Sequence, residues 1–120
     1  MTQRFLKLAV IYLVIGSGLG LYMGINKIFT FVPVHAHLLL AGWVSLALAG
    51  LIYHLFPVAA ASPLAKVHFW LHNLALPVFM IGLAVMLTGN EAALPAVAGG
   101  ATVLLAGLVV FAVNVLKNVD

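Results

Sequence analysis

The amino-acid sequence predicts an all-α membrane protein with four transmembrane helices, and two properties of the chain support this prediction. Of the 120 residues, 66% are apolar and only 6% are charged, too few charges for the surface of a water-soluble domain of this size. The length also leaves room for about four spans of ~20 residues, the length that crosses a bilayer as a helix. The chain is therefore expected to lie almost entirely within a lipid bilayer, as a single domain.

The predicted helices occupy about residues 5–25, 34–56, 67–87 and 93–116. Lys27 and Pro33 mark the first loop, and Pro57 is expected to end the second helix because proline cannot continue the hydrogen-bond ladder. Residues 59–66 are expected to form a short turn, and Pro77 is expected to kink the third helix.

The first predicted helix carries Gly16, Gly20 and Gly24 at intervals of four residues, with Gly18 between them. Small residues one turn apart allow a neighbouring backbone to approach closely, which is how apolar helices gain contact in lipid. Close helix packing is therefore predicted for this face. The alternative is that apolar spans simply tolerate glycine.

The basic side chains indicate how the helices are oriented. An even number of spans places the N-terminus, the second loop and the C-terminus on one side, which then holds Arg4, Lys7, Lys66 and Lys117, against only Lys27 on the other. Because cytoplasmic segments carry the excess of Lys and Arg, both termini are expected in the cytoplasm, with the protein in a bacterial inner membrane. Scattered charges of this kind do not indicate binding to nucleic acid.

Histidine is the residue type most able to carry chemistry here, because the chain has no cysteine and ionisable groups are costly at membrane depth. His35 and His37 lie in the first turn of the second predicted helix. A separation of two residues is about 200° of helical rotation, so the two imidazoles are expected to point to nearly opposite faces. They therefore cannot ligate one iron from a regular helix, and a second copy of the chain is the simplest source of a partner imidazole for each. The alternative is a pair of hydrated histidines among lipid headgroups.

The other three histidines lie at the opposite end of the predicted helices. His68 and His72 are four residues apart on one helix face, a spacing that can hold a metal ion, and His54 could reach the same depth from the second helix. The alternative is that these residues are solvated near the interface or bonded to loop carbonyls. No carboxylate lies close by in the sequence to support a metal-bound imidazole.

The stretch that begins at His35 reads HAHLLLAGWVSLALAGLIYHLFP, and it resembles the tenth helix of subunit I of the haem-copper oxidases. That family has His-x-His, a Gly fifteen residues after the first His, and then His-x-Phe-Pro, and here the same places hold His35, His37, Gly50, His54, Phe56 and Pro57. The sequence AKVHF at residues 65–69 is similar to the start of the family's eleventh helix. The resemblance covers about 35 residues, roughly 34–69.

The resemblance implies roles for the pair. In the family the first His binds the iron of the active-site haem and the second binds the low-spin haem, and these positions correspond to His35 and His37. Subunit I consists of three four-helix arcs about a pseudo-threefold axis, so a chain resembling one arc is expected to form a homotrimer that shares b-type haem between protomers. Gly42 would let the macrocycle approach the backbone, unless it serves helix packing, and Lys27 would pair with the haem propionates.

The chain departs from the family in the parts that reduce oxygen. It has no adjacent pair of histidines for the copper site and no tyrosine placed as the active-site phenol, so neither copper nor oxygen reductase activity is expected. The predicted function is a bis-His, low-spin, electron-transfer cytochrome that works with a quinol or a redox protein. Two alternatives are a non-catalytic membrane subunit or assembly factor, which would pack through the glycine face of the first helix, and a transporter or sensor of copper, haem or nitric oxide.

Overall fold

The computed structural model describes residues 1–120, and its only regular secondary structure is helical. Four helices are long and apolar enough to cross a membrane: α1 (Thr2–Asn26), α2 (Val32–Leu55), α3 (Pro63–Leu87) and α4 (Leu94–Asn118), the last preceded by a 3-10 turn at Glu91–Ala93. The prediction of an all-α chain with four helices of transmembrane length is confirmed, and it indicates an integral membrane protein.

The junction between α2 and α3 differs from the predicted turn. Phe56 leaves the helical conformation, with φ −124° and ψ 81°, because the ring of the following Pro57 disfavours helical backbone at the residue before it. A short helix then covers Pro57–Ala61, and α3 begins at Pro63, four residues before the predicted start. The Ser62 hydroxyl caps α3 by accepting the N–H of Leu64 at 3.2 Å, and proline suits the first helical turn, where its missing N–H is not needed.

The second span is not a regular α-helix, a feature that the sequence analysis did not predict. Its residues Val32–His37 are α-helical, Leu38–Val44 form a π-helix, and Ser45–Leu55 are α-helical again. The wider π turn rotates the His35–His37 segment relative to the rest of the helix. Segments of this kind are uncommon and often lie at functional sites.

The four helices form an open arc. The helix α1 packs mainly on α2, and α3 mainly on α4, while α1 and α4 make no extended contact with each other. A closed square bundle with helix axes ~8–10 Å apart would have two similar transverse dimensions. The Cα atoms instead extend over 47 × 29 × 18 Å, so the cross-section is clearly flattened.

Two apolar clusters hold the arc together, one at each end of the helices. We call the end of the helices that carries both chain termini the termini end. Its cluster includes Phe5, Tyr53 and Phe69. The cluster at the opposite end, called the loop end, includes Leu38 and Phe79. The outward surfaces of α1 and α4 are mostly uncovered, with large apolar side chains exposed along both helices, as expected for helices that face lipid.

Candidate functional site

His35 and His37 leave α2 toward different neighbours. The His35 ring reaches α1, where its Nδ1 lies 2.7 Å from the carbonyl oxygen of Gly16. The His37 ring lies beside Phe79 of α3, with ring centroids 5.2 Å apart and the planes 65° to one another. The two imidazoles therefore face opposite sides of α2, as the helical rotation predicts, and no single metal centre within one chain is shared by them.

In each of these two imidazoles, one ring nitrogen is held by a hydrogen bond and the other has no hydrogen-bond partner. The Nδ1 atom of His37 lies 2.7 Å from the carbonyl oxygen of Pro33, one turn back in its own helix, just as Nδ1 of His35 meets Gly16. A carbonyl oxygen can only accept, so Nδ1 carries the proton and donates it in both rings. Each Nε2 therefore holds a lone pair, and neither Nε2 has a hydrogen-bond partner in the chain or is fully buried. An imidazole held through one N–H by a backbone carbonyl, with the other nitrogen open, is the typical arrangement of a metal ligand.

Two glycines of α1 make the His35 contact possible. A Cβ atom at Gly20 would lie 2.5 Å from Cε1 of His35, and one at Gly16 would lie 2.9 Å from the Leu39 side chain. The predicted close packing of the glycine face is thus present at Gly16 and Gly20. It is absent at Gly18 and Gly24, where an added Cβ would meet nothing within 4 Å.

The two remaining residues assigned to the haem site have different surroundings. At Gly42 an added Cβ would lie 2.6 Å from Cγ of Tyr12, so this glycine serves the contact between α1 and α2. Lys27 ends α1 in the left-handed conformation, with φ 53°, and is exposed at the loop end, the same end as His35 and His37.

The other three histidines do not form one cluster. His68 and His72 are buried next to each other, with ring centroids 5.5 Å apart, whereas His54 is exposed. The structure contains no group of three or more His, Cys, Asp or Glu side chains that could hold one metal ion. The three-histidine metal site considered from the sequence is therefore not formed, because His54 points away from the interior that encloses the other two.

Two buried polar residues beside this pair were not predicted from the sequence. The Tyr53 hydroxyl lies 3.0 Å from Nδ1 of His68, and the Asn114 side-chain amide donates to the Ala59 carbonyl at 3.0 Å. Both residues lie inside apolar segments. A buried amide is unusual at that position, so Asn114 was the available signal in the sequence.

Searches against protein families, curated proteins and solved structures give no match for this chain.

Proposed function

We propose that this chain is a b-type haem-binding membrane protein, a bis-His low-spin cytochrome that transfers electrons, with each haem held between His35 of one protomer and His37 of the next. The observation that carries the proposal is that the two imidazole rings make the same kind of hydrogen bond. Each donates Nδ1–H to a backbone carbonyl at 2.7 Å and leaves Nε2 free, on opposite faces of one helix.

The chemistry of the site favours haem over a bare metal ion. Each face of α2 offers one imidazole at this depth and no carboxylate, which is too few ligands for an isolated zinc or copper ion. A porphyrin brings four nitrogen ligands and two negative charges of its own, so the protein needs to supply only axial imidazoles. When bound, haem supplies a one-electron carrier, while His35 and His37 fix its axial ligation and Lys27 is the proposed partner of a propionate.

The divergence of the two rings and the shape of the chain support the proposal that protomers share each haem. A contact that joins one face to a different face on the next copy is head-to-tail, and such contacts either close into rings or extend into filaments. The flattened, open arc is a shape that suits a closed ring. The resemblance to subunit I of the haem-copper oxidases, with its three arcs, favours a ring of three.

We propose an electron-transfer role, with a quinol or a redox protein as partner, because two imidazoles fill both axial positions of each iron. Oxygen reduction is not proposed. The resemblance to the oxidase subunit supports the haem and its ligands, and the sequence lacks the adjacent histidine pair that the copper site of that family requires.

An optical spectrum of the protein purified in detergent tests the proposal. We expect a Soret band and sharp α and β bands on reduction, together with a trimeric mass and one haem per chain. A colourless preparation would contradict haem binding and favour a non-catalytic subunit, and bound copper without a Soret band would favour copper transport or sensing. One haem on a monomer would contradict the sharing of haem between protomers.

Replacement of Gly20 by Ala is expected to lower haem occupancy. The added Cβ would lie 2.5–3.3 Å from three atoms of the His35 ring, so the ring or α1 must move. Displacing a supporting contact of a metal ligand typically weakens binding by roughly 10–100-fold. The measurement is the haem-to-protein ratio during titration with haem, and Gly18→Ala is the matched control because its Cβ meets nothing within 4 Å. Equal haem affinity in both variants would contradict a role for Gly20 in placing His35.

We further propose that both termini face the cytoplasm of a bacterial inner membrane. Because the chain has no cysteine, single cysteines can be introduced without background labelling. We expect an impermeant thiol reagent added to intact spheroplasts to label Asn90→Cys at the loop end and to spare Asp120→Cys at the termini end. The reverse pattern would invert the proposed topology.

A further inference from the structure

A second group of polar side chains extends from the termini end toward the middle of the helices, where His72 reaches the Ala41 carbonyl, four residues along α2 from His37. It consists of Tyr53, His68, His72 and Asn114, and each of these side chains is at most 1% exposed. The rings of Phe5 and Phe111 enclose His68, at centroid distances of 5.1 and 4.7 Å. Ionisable side chains buried in a membrane protein are costly, and proton relays are among the functions that retain them.

The direction of the bonds made by His72 and Asn114 is fixed by the atoms involved, and the bond between Tyr53 and His68 is assigned from the acceptors available. The His72 Nε2 atom lies 2.8 Å from the Ala41 carbonyl, which can only accept, so Nε2 carries the proton and Nδ1 holds a lone pair. The Asn114 amide nitrogen donates to the Ala59 carbonyl at 3.0 Å and to the Tyr53 oxygen at 3.5 Å. The Tyr53 hydroxyl has no acceptor in the chain other than Nδ1 of His68, so we assign its proton to that bond, which leaves the proton of His68 on Nε2.

The chain of hydrogen bonds is interrupted between the imidazoles of His68 and His72. The Nε2 of His68 and the Nδ1 of His72 are both fully buried and have no hydrogen-bond partner. By the assignment above, the first is a donor and the second an acceptor, on rings whose centroids are 5.5 Å apart. Buried unpaired groups of this kind are costly, and one water bonded to both satisfies them. A metal ion would need two lone pairs, which these tautomers do not present.

An open cavity lies at the termini end, beside this group. Its volume is about 480 Å³, it is open, and its lining includes Tyr53, His54 and Gln3. Tyr53 therefore belongs both to the lining of the cavity and to the hydrogen-bond partners of His68. Among the hydrogen bonds and ring contacts of His68 and His72, Tyr53 is the only other titratable side chain.

We propose that Tyr53, His68 and His72 form a proton-uptake path from this cavity to the interior of the membrane, completed by one water between the two imidazoles. A proton from the cavity reaches the Tyr53 oxygen as the tyrosine passes its own proton to Nδ1 of His68. His68 releases its Nε2 proton to the water, and the water passes a proton to Nδ1 of His72. One proton enters, Tyr53 and His68 end neutral, and His72 ends as an imidazolium that still donates Nε2–H to Ala41. The path does not depend on the proposed haem.

Nuclear magnetic resonance of ring-¹⁵N-histidine protein tests this path in lipid nanodiscs, under reducing conditions so that any low-spin iron is diamagnetic. The resonances are assigned by single-histidine variants. We expect both His68 and His72 to be protonated at Nε2, and the Nε2–H of His68 to show a cross-peak to water. A His68 protonated at Nδ1, or the absence of a water contact, would overturn the proposal.

The variant Tyr53→Phe tests the route itself. It removes one oxygen and keeps the ring packed against Phe5 and Phe111, whose centroids lie 5.3 and 5.5 Å away. Deuterium exchange at the His68 Nε2–H should slow by at least about tenfold, because exchange then requires local opening of the packing. Tyr22→Phe, at an exposed tyrosine of α1, is the matched control and should leave the exchange unchanged. Unchanged exchange in a folded Tyr53→Phe protein would overturn the route. If that variant fails to fold, the histidine tautomers and the water contact measured in the unsubstituted protein test the proposal instead.

Discussion

Substitution of either His35 or His37 by Ala is expected to remove haem from the whole assembly. Each haem in the proposed ring takes one axial ligand from each of two protomers, so the loss of one residue type removes a ligand from every site. The haem-to-protein ratio and the reduced α band should fall by at least about tenfold, because the loss of even a supporting residue weakens metal binding by roughly 10–100-fold. The His54→Ala variant is the control, since His54 is exposed at the opposite end and should retain haem.

Mixing the His35→Ala and His37→Ala chains tests whether each haem is bound between two protomers or within one. In a trimer that contains both His35→Ala and His37→Ala chains, one interface of three brings an intact His35 to an intact His37. Random mixing of equal amounts makes about three quarters of the trimers mixed, so about a quarter of the normal haem content should return. No recovery on co-expression, with mixed trimers verified by two affinity tags, would contradict sharing between protomers.

Replacement of Gly100 by Ala is expected to destabilise the chain substantially. Gly100 of α4 is buried, and an added Cβ would lie 2.8 Å from the backbone nitrogen and 2.9 Å from the Cα of Phe79 in α3. Backbone atoms in a helix cannot rotate away as a side chain can, so the two helices must separate. Overpacking of this kind costs about 1–3 kcal/mol, measured as the free energy of unfolding in an SDS titration.

The neighbouring glycine gives a close control for this prediction. An alanine Cβ at Gly99 would meet nothing within 4 Å, so Gly99→Ala should be neutral or slightly stabilising because alanine favours helix. Since Phe79 also packs against His37, Gly100→Ala should disturb the haem spectrum as well as the stability. If both alanine variants unfold at the same SDS concentration, the close contact between α3 and α4 is not present in the bilayer.

The irregular second span illustrates where prediction from sequence stops. The helical period predicts that His35 and His37 diverge, and their contacts with Gly16 and Phe79 confirm it. Nothing in the local sequence predicts the π-helix at Leu38–Val44. Its carbonyl at Ala41 accepts a hydrogen bond from His72, a residue 31 positions away, so the bond depends on packing between helices.

The sequence alone determined the properties that depend on composition and on neighbouring residues: four apolar helices, their end signals, and the opposite directions of two imidazoles two residues apart. Only the tertiary structure decided which partners those residues meet. It placed Tyr12 over Gly42, left His54 exposed, and buried His68 and His72 beside Tyr53. The physical reason is that hydropathy and helical period are short-range properties, whereas burial and hydrogen bonding are set by contacts between helices distant in the chain.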